Sequence, residues 1–433
     1  MLEKYNFKCD PSILQIRKGA NLEVVEDGPL NVDVAIIGGG PAGLLLARLL
    51  SQAGASVIVL ERQSRDYVLS RIRAGVLEWG AVETLRQAGV GERMDREGYV
   101  HEGVSLAAAN AAFRVDFMKA CGQPVMVYGQ TEVTRDLYEA LDRSDGVVVV
   151  QQAEDVQPHD IETERPFVTY RKDGIEHRID CQFVAGCDGF HGVCRQTIPK
   201  AMRTEYERVY PFGWLGVLSR TEPVSDELIY AQHERGFALA SMRNANLSRY
   251  YIQVPADQKA ESWSDNEFWD ELRRRLPDEA AETLETGPSV EKSIAPLRSF
   301  VSEPMRYGRL FLAGDASHIV PPTGAKGLNL AVSDVRYLAE GLVSALKDDD
   351  ERGIDIYSAR ALDRVWRAIH FSWWMTSMMH RFPDQTPFDR RLQEVELRRI
   401  RDSPAAQTLM AEIYTGLPYD GNFEHLDRSV ASA

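Results

Sequence analysis

A glycine-rich turn between a short strand and a helix constrains this chain more than any other segment. Val32–Ile37 has the β-branched composition of a buried strand, and Pro41–Ala53 has the apolar content of a helix. Between them, Gly38, Gly40 and Gly43 follow a GxGxxG pattern. In such a turn the first glycine permits a tight bend, the second lets the backbone approach a pyrophosphate, and the third lets helix and strand pack closely. The segment predicts the opening of a doubly wound α/β sheet.

An acidic residue indicates which nucleotide this turn holds. Ser56–Leu60 is a second short apolar strand, and Glu61 follows it directly. A carboxylate at this place accepts hydrogen bonds from both ribose hydroxyls and repels a 2′-phosphate. We therefore expect the tightly held nucleotide to be FAD or NAD, and not NADP.

Two later strand ends favour FAD. The strand at Leu310–Ala313 delivers Asp315 to the carboxyl edge of the sheet, where the carboxylate can bind the ribityl chain of a flavin. The segment from Val184 delivers Asp188 in the same way. One Gly-Asp pair carries little weight, but three motifs in order at strand ends predict a flavin site.

Composition limits the partners of the chain. It has 433 residues and a formal net charge of −15, which argues against nucleic acid and anionic membranes. No apolar run approaches the roughly 18 residues of a membrane span, and the N-terminal region lacks the apolar core of a signal peptide. The five cysteines form no CxxC pair. We therefore expect a cytoplasmic protein with no disulfide framework and no metal site.

An anionic substrate would then need a local cluster of hydrogen-bond donors, and a predicted strand pair supplies one. Ser241 and Arg243 lie on one face at period two, and Tyr251 follows on the next strand after a turn at 244–247. A hydroxyl, a guanidinium and a phenol can then point at one carboxylate. From spacing alone, a solvent-facing position for Arg243 is the more common interpretation.

Four long strings carry a family resemblance. They are Tyr67–Leu77, Tyr128–Arg135, Val320–Asn329 and Gly416–Tyr419. With the three glycine and aspartate motifs, they make residues 32–419 resemble the single-component flavoprotein aromatic hydroxylases. The resemblance implies an α/β protein with a Rossmann-like FAD-binding domain, a mixed β-sheet substrate domain and a helical C-terminal region that forms homodimers.

The resemblance divides the chain into six segments. They are an N-terminal extension without an assigned role (1–31), the first part of the FAD-binding domain (32–207), the substrate-binding sheet (208–297), the second part of the FAD-binding domain (298–345), a helical interface region (346–420) and a tail (421–433).

The resemblance also implies three sets of binding residues. The FAD contacts are Gly38, Gly40, Gly43, Glu61, Arg71, Arg73, Val76, Gln130, Asp188, Asp315, Leu328 and Asn329. The substrate contacts are Tyr230, Ser241, Met242, Arg243, Tyr251 and Pro322. The NADPH contacts are Arg62, Gln63, Tyr67, His191 and Arg298, with Arg71 beside them. Arg65, where the family often has proline, adds a positive charge that favours a phosphate.

The implied reaction is hydroxylation of 4-hydroxybenzoate to 3,4-dihydroxybenzoate with NADPH and O₂. A phenolate is a better target than a phenol for electrophilic oxygen, so the protein must lower the cost of ionising the substrate hydroxyl. The resemblance assigns Tyr230 to the phenol contact, Tyr414 to the next link of a proton relay, and His101 to its solvent-facing end. The carbonyl of Pro322 is expected to orient the substrate hydroxyl.

Two other functions stay open at this point. One is hydroxylation of a related aromatic acid, such as 4-aminobenzoate; the other is a non-catalytic binding protein on the same fold. The set of Glu61, Arg73 and Asp315 argues against the binding protein, because such a module need not keep a flavin site.

Farther along the chain, we interpret Met375, Met378 and Met379 as core or interface packing.

Overall fold

The computed structural model describes residues 30–71, 75–108 and 111–419. The predicted N-terminal extension therefore lies outside the described residues except for its last two, and so do Arg73 and the predicted tail.

The strands of the described residues form two large sheets and one small one. They are Leu30–Ile37 (β1), Val57–Glu61 (β2), Val76–Leu77 (β3), Tyr99–His101 (β4), Gly103–Ala108 (β5), Ala111–Asp116 (β6), Val125–Val127 (β7), Val147–Gln151 (β8), Glu154–His159 (β9), Phe167–Lys172 (β10), Ile175–Gly186 (β11), Thr204–Ser219 (β12), Ile229–Gln232 (β13), Ala238–Asn244 (β14), Leu247–Pro255 (β15), Ser289–Glu303 (β16), Arg306–Tyr307 (β17), Leu310–Leu312 (β18) and His318–Ile319 (β19).

The α-helices are numbered in the same chain order. They are Pro41–Gln52 (α1), Arg65–Ser70 (α2), Trp79–Gln87 (α3), Glu92–Glu97 (α4), Phe117–Cys121 (α5), Gln130–Leu141 (α6), Cys194–Thr197 (α7), Asp265–Arg275 (α8), Asp278–Thr283 (α9), Gly327–Asp348 (α10), Arg352–Met379 (α11), Pro387–Asp402 (α12) and Pro404–Thr415 (α13). None of these helices has the length together with the apolarity that a membrane span requires.

The first sheet is the predicted nucleotide-binding sheet. Its strand order is β17-β18-β11-β1-β2-β8, and β18, β11, β1, β2 and β8 run parallel. Residues 57–60 of β2 are all buried, as expected for a parallel strand that is covered on both faces. Helix α1 ends where Gly54 takes a positive φ of +82°. The predicted βαβ opening is confirmed.

The second sheet carries the predicted substrate strands. Its order is β19-β16-β12-β15-β14-β13-β5-β6, and β14 pairs antiparallel with β15 across the predicted turn. Helix α8 covers one face of this sheet. It begins with a capping box in which Ser264 and Glu267 bond reciprocally, as their spacing predicts.

The predicted domain boundaries differ from the observed sheets. Strands β5 and β6 lie in the segment assigned to the FAD-binding domain, yet they belong to the second sheet. The link is a parallel pairing of β13 with β5, in which Tyr230 is opposite Leu106. The boundaries at 208 and 297 also fall inside β12 and β16. Local patterns do not reveal a pairing between segments more than a hundred residues apart.

The C-terminal quarter is helical, as predicted. Helix α11 buries Met375, Met378 and Met379, so these side chains are core residues. Helix α10 extends through Asp348, into the charged run Lys347–Glu351. Asp349, the residue that follows the helix, takes a left-handed φ of +54°.

Candidate active site

The glycine turn has the geometry that its sequence predicts. Gly38 has a φ of +110°, and a Cβ on Gly43 would lie 2.0 Å from the Gly38 carbonyl oxygen. These two glycines therefore permit the bend and the close approach of α1. A Cβ on Gly40 would meet nothing within 4 Å, so the backbone opens there onto free space at the start of a helix. That cradle and the helix N-terminus fit a pyrophosphate.

Glu61 is held at the edge of this cradle by two backbone groups. Its Oε2 accepts a hydrogen bond from the Gly39 amide at 2.7 Å, and its Oε1 accepts one from the Gln63 amide at 2.7 Å. Each carboxylate oxygen has a second lone pair. Glu61 can therefore still accept the hydroxyls of a ribose.

Two aspartates follow neighbouring strands of the first sheet. Strand β11 leads to Asp188 and β18 leads to Asp315, and these strands pair in parallel with Gly186 opposite Leu312. Burial raises the pKa of Asp188. Its Oδ2 accepts from the Cys194 amide at 2.9 Å, whereas its Oδ1 is buried without a partner among the described residues. An unpaired buried acceptor in this position fits a donor from a bound flavin nucleotide.

The distinctive strings meet beside the start of α10. The side-chain amide of Asn329 donates to the carbonyls of Val76 and Ala325 at 2.9 and 2.8 Å, and its oxygen accepts from the Glu78 amide at 2.8 Å. The Asn329 side chain is thus engaged in holding β3 against the helix. The amides of Leu328 and Asn329 lie in the first helical turn, where N–H groups have no intrahelical partner.

Two further FAD candidates, Arg71 and Gln130, lie where two of these strings meet. Gln130 begins α6, and Thr131 donates to the carbonyl of Arg71 at 3.0 Å. A Cβ on Gly75 would lie 2.0 Å from the Tyr128 carbonyl oxygen. The strings that begin at Tyr67 and at Tyr128 are therefore in direct contact.

A buried ion network near this point was missed by sequence reasoning. Lys326 donates to Glu78 at 2.7 Å and to the Tyr414 carbonyl at 3.0 Å, and Arg364 binds the other oxygen of Glu78 at 3.0 Å. Burial lowers the pKa of Lys326. Lys326 is the one charged residue of the string Val320–Asn329, a sequence feature that could have identified it.

Two tyrosines form the predicted phenol end of the substrate site. The hydroxyls of Tyr230 and Tyr414 lie 2.9 Å apart, and both side chains are buried. Burial raises the pKa of Tyr230 well above its usual value and raises the pKa of Tyr414 to about 12. The two hydroxyls are therefore within hydrogen-bond distance, as the predicted relay requires, and the relay itself stays a prediction.

The turn containing Pro322 lies next to this pair. The Pro322 carbonyl accepts a hydrogen bond from the Ala325 amide at 3.0 Å, which leaves one lone pair of the oxygen. Lys326 follows in the chain, and its Nζ lies 5.7 Å from the centre of the Tyr414 ring. The turn is thereby tied to the helix that carries Tyr414.

The predicted relay requires His101 to face solvent, but its side chain is buried. It is 2% exposed, and both ring nitrogens lack a hydrogen-bond partner among the residues that the structure describes. Burial lowers the pKa of the ring. The prediction of a solvent-facing position is therefore wrong: His101 lies in β4, which pairs with β7, and its side chain is covered by the fold.

The predicted carboxylate end lies on β14 and β15. Ser241 and Met242 are buried, Arg243 is half-buried, and the Arg243 guanidinium lies beside Tyr251. Burial lowers the pKa of Arg243, and within the described ranges no acidic side chain lies within ion-pair distance of it. Its Nε is buried without a described partner. The structure therefore contains a half-buried cation that lacks a counter-ion in this part of the chain.

A second arginine, which is fully buried, lies close by and was not assigned a role from sequence. Arg249 pairs with Glu291 at 3.1 Å, and its guanidinium lies 5.2 Å from the centre of the Tyr251 ring. A Cβ on Gly216, opposite Tyr251 in β12, would lie 2.7 Å from that ring. The period-two spacing from Tyr251 could have indicated Arg249. Arg249 thus has an acidic partner in Glu291, whereas Arg243 has no acidic partner among the described residues.

The nicotinamide candidates fall into two groups. Arg62, Gln63 and Tyr67 line a cleft of about 500 Å³, together with Ser64, Gln152, Glu154 and Asp155. His191 and Arg298 instead meet around Phe190, at 5.0 and 4.7 Å from its ring.

Arg65 does not supply the free positive charge that we expected. Its guanidinium pairs with Asp142 at 2.8 Å and lies over the Tyr138 ring at 4.7 Å. The expectation failed because Asp142 lies 77 residues away in sequence, at the end of α6.

The chain is similar in sequence to known flavoproteins. A family model described as "FAD binding domain" matches residues 31–372. A p-hydroxybenzoate hydroxylase from Acinetobacter baylyi is 54% identical over 392 residues, which cover 90% of this chain and 96% of that protein. A 3-(3-hydroxy-phenyl)propionate/3-hydroxycinnamic acid hydroxylase from Comamonas testosteroni is 25% identical over 359 residues, which cover 79% of this chain and 58% of that protein.

The fold also matches solved structures. A p-nitrophenol 4-monooxygenase from Pseudomonas putida superposes with a TM-score of 0.70 at 19% identity, over 90% of this chain and 99% of that chain. PqsL from P. aeruginosa, in complex with 2-aminobenzoylacetate, superposes with a TM-score of 0.71 at 21% identity, over 84% and 99% of the two chains. At these identities the likeness supports the fold alone. The sequence matches and the cradle geometry together show that the chain binds FAD and belongs to the FAD-dependent aromatic hydroxylases.

Proposed function

We propose that this enzyme hydroxylates 4-hydroxybenzoate to 3,4-dihydroxybenzoate with NADPH and O₂. The observation that carries the proposal is a pair of opposed grips on one sheet. Tyr230, paired with Tyr414, lies on β13, and Arg243 lies on the neighbouring β14. A para-substituted ring carries its carboxylate and its hydroxyl at opposite ends, so one such molecule can occupy both grips.

The carboxylate grip follows from electrostatics. Arg243 is half-buried and has no described acidic partner; Ser241 on the same strand and Tyr251 on the neighbouring strand add two hydroxyls. Removing a cation from water costs free energy unless a counter-ion compensates it. A bound aromatic carboxylate supplies that counter-ion.

The phenol grip follows from hydrogen bonding. Since burial keeps Tyr230 and Tyr414 protonated, the Tyr230 hydroxyl can donate to a substrate oxygen while it accepts from Tyr414. A donor at the substrate oxygen favours the phenolate form and thus lowers the cost of ionisation. Bound FAD supplies electron transfer from the nicotinamide and activation of O₂. The protein residues around the flavin hold the substrate ring, take up the proton of the substrate hydroxyl and exclude water.

NADPH is proposed as the reductant that uses the cleft beside Glu61. Arg62 is exposed at its rim, and Gln63 and Tyr67 line it. A guanidinium at this position can pair with a 2′-phosphate. Replacing Arg62 with alanine is expected to lower kcat/KM with NADPH by about tenfold, which is about 1.4 kcal/mol, and to leave kcat/KM with NADH unchanged. Equal losses with both nucleotides would argue against this role.

A homodimer through the C-terminal helices is also proposed. Phe388, Leu392 and Val395 follow one another at helical spacing on α12 and are 69, 52 and 46% exposed. Contiguous exposed apolar residues of this kind indicate a protein interface. Light scattering should give twice the chain mass for the wild type and a smaller mass for Leu392→Glu; a monomeric wild type would contradict the proposal.

The decisive experiment is a substrate panel. Purified enzyme with NADPH and O₂ is mixed with 4-hydroxybenzoate, 3-hydroxybenzoate, 4-aminobenzoate and benzoate, and NADPH oxidation and hydroxylated product are both measured. We expect 3,4-dihydroxybenzoate in near-stoichiometric yield from 4-hydroxybenzoate alone. Efficient product from 4-aminobenzoate would support the related-acid alternative. If no phenolic acid stimulated NADPH oxidation, the proposed function would be wrong.

A further inference from the structure

A buried histidine lies behind both substrate grips without belonging to either. His380 follows the last residue of α11 and has no exposed surface. The indole N–H of Trp214 donates to its Nε2 at 2.7 Å, and its Nδ1 lies 3.1 Å from the Thr376 carbonyl oxygen. Because an indole nitrogen can only donate, Nε2 must be the acceptor and Nδ1 must carry the proton. Both nitrogens of a neutral ring are thus engaged.

The same ring stacks on two aromatic side chains, Phe212 of β12 and Phe237, which directly precedes β14. Its centre lies 4.8 Å from Phe212 and 4.4 Å from Phe237, and both pairs are stacked. Trp214 also stacks on Phe237 at 5.0 Å. Offset stacking at these distances is favourable and resists sliding of one ring past another.

Each end of this stack contacts one substrate grip. Trp214 packs against Tyr251 at 5.2 Å, which is the carboxylate end. Phe237 packs against Tyr230 at 6.1 Å, which is the phenol end. Trp214 and Phe237 contact each other and thereby join the two grips, and His380 contacts both of them.

The backbone around the histidine is fixed to the same sheet. Gln253 accepts from the amides of Arg381 and Phe237 at 3.0 and 3.1 Å and donates to the Arg381 carbonyl at 2.5 Å. Gln393 donates to the His380 carbonyl at 2.9 Å. The backbone at His380 and Arg381 is thus anchored by Gln253 and Gln393, and shifting it would break these hydrogen bonds.

We propose that His380 is a positioning residue whose hydrogen bond to Trp214 sets the distance between the carboxylate and phenol grips, and hence the length of the aromatic acid that the enzyme accepts. This inference rests on the proposed function. Its physical basis is that Trp214 cannot move while its N–H is paired, and Tyr251 packs on Trp214. Loss of the acceptor leaves a buried donor unpaired, and the indole must move to satisfy it.

The test compares substrates that differ in length. We measure kcat/KM for 4-hydroxybenzoate and for 4-hydroxyphenylacetate, which is one methylene longer, and take the ratio. His380→Phe keeps a ring in the stack but removes the acceptor. We expect this variant to lower the ratio by at least about tenfold, mainly through a higher KM for 4-hydroxybenzoate. A tenfold change corresponds to about 1.4 kcal/mol. His380→Gln keeps an acceptor and a donor, so its ratio should stay within about threefold of the wild type.

Two controls separate positioning from loss of structure. His370→Phe makes the same substitution at an exposed position of α11 and should leave the ratio unchanged. Trp214→Phe removes the same hydrogen bond from the sheet side and should lower the ratio in the same direction, so the test does not depend on the folding of one variant. FAD content and the pH profile of hydroxylation should remain those of the wild type in all variants.

Three results would overturn the inference. They are an unchanged ratio in His380→Phe and Trp214→Phe, an equal loss in His380→Gln, or a pH profile that shifts in His380→Phe, since a shift would make the ring a proton carrier. If the wild type did not hydroxylate 4-hydroxybenzoate, the proposed function would instead be wrong.

Discussion

Removal of the Arg243 guanidinium is the most direct test of the carboxylate grip. Arg249 is already paired with Glu291 at 3.1 Å, so it cannot fully replace the lost charge. Removing one partner of an ion pair costs about 3–5 kcal/mol of free energy when the pair is buried and about 0–1 kcal/mol when it is exposed. Because Arg243 is half-buried, we expect Arg243→Ala to lose about 2–4 kcal/mol of substrate-binding free energy. At about 1.4 kcal/mol per tenfold change, this weakens substrate binding roughly 30- to 700-fold.

The assay separates binding from chemistry. The dissociation constant of 4-hydroxybenzoate is measured from the change in flavin absorbance, and KM and kcat are measured under the same conditions. The dissociation constant and KM should rise together, while kcat at saturation falls much less. Arg243→Lys should show an intermediate loss, because an ammonium keeps the charge but not the planar fork of donors.

A matched control removes an arginine that the grip does not use. Arg220 is exposed just after β12 ends, so Arg220→Ala should leave substrate binding unchanged. If Arg243→Ala bound 4-hydroxybenzoate within about threefold of the wild type, the assignment of this cation to the carboxylate would be refuted.

Three further predictions follow from the same geometry. Tyr230→Phe should cut hydroxylation by about 10²-fold or more, with NADPH oxidation persisting and H₂O₂ formed instead; full coupling of NADPH to product would exclude the tyrosine relay through Tyr414. Gly43→Ala should purify with little FAD and unfold at a lower temperature, because its Cβ would lie 2.0 Å from the Gly38 carbonyl oxygen, and overpacking costs about 1–3 kcal/mol; normal flavin content would contradict this. Burial lowers the pKa of His380 to about 3 in the folded protein, whereas a histidine in the unfolded chain has a pKa of about 6.5. Between these values the unfolded chain binds one more proton than the folded protein. The free energy of unfolding therefore decreases as the pH falls from about 6.5 toward 3. The loss at about pH 5 is about 2 kcal/mol, and denaturant unfolding should show a smaller loss in His380→Phe.

The sequence by itself determined the parts of this protein that depend on local order. The GxGxxG turn, the strand ends that deliver Glu61, Asp188 and Asp315, and the capping box of α8 were all predictable. In each case the chemistry lies within one turn or one strand, where glycine conformation, side-chain periodicity and helix capping act over a few residues. The long strings that resemble the hydroxylase family added the pairing of Tyr230 with Tyr414, which local order could not supply.

Only the tertiary structure decided the environment of each side chain. It buried His101, which the family resemblance places at the solvent, and it neutralised Arg65 with Asp142. It also joined Trp214 to His380 across 166 residues of sequence and made Glu78 the shared partner of Lys326 and Arg364. Burial and ion pairing are set by which segments pack together, and a periodicity of two or 3.6 residues carries no information about that packing. The local sequence therefore determines which residue types lie at the site, whereas the tertiary fold determines their charges and their partners.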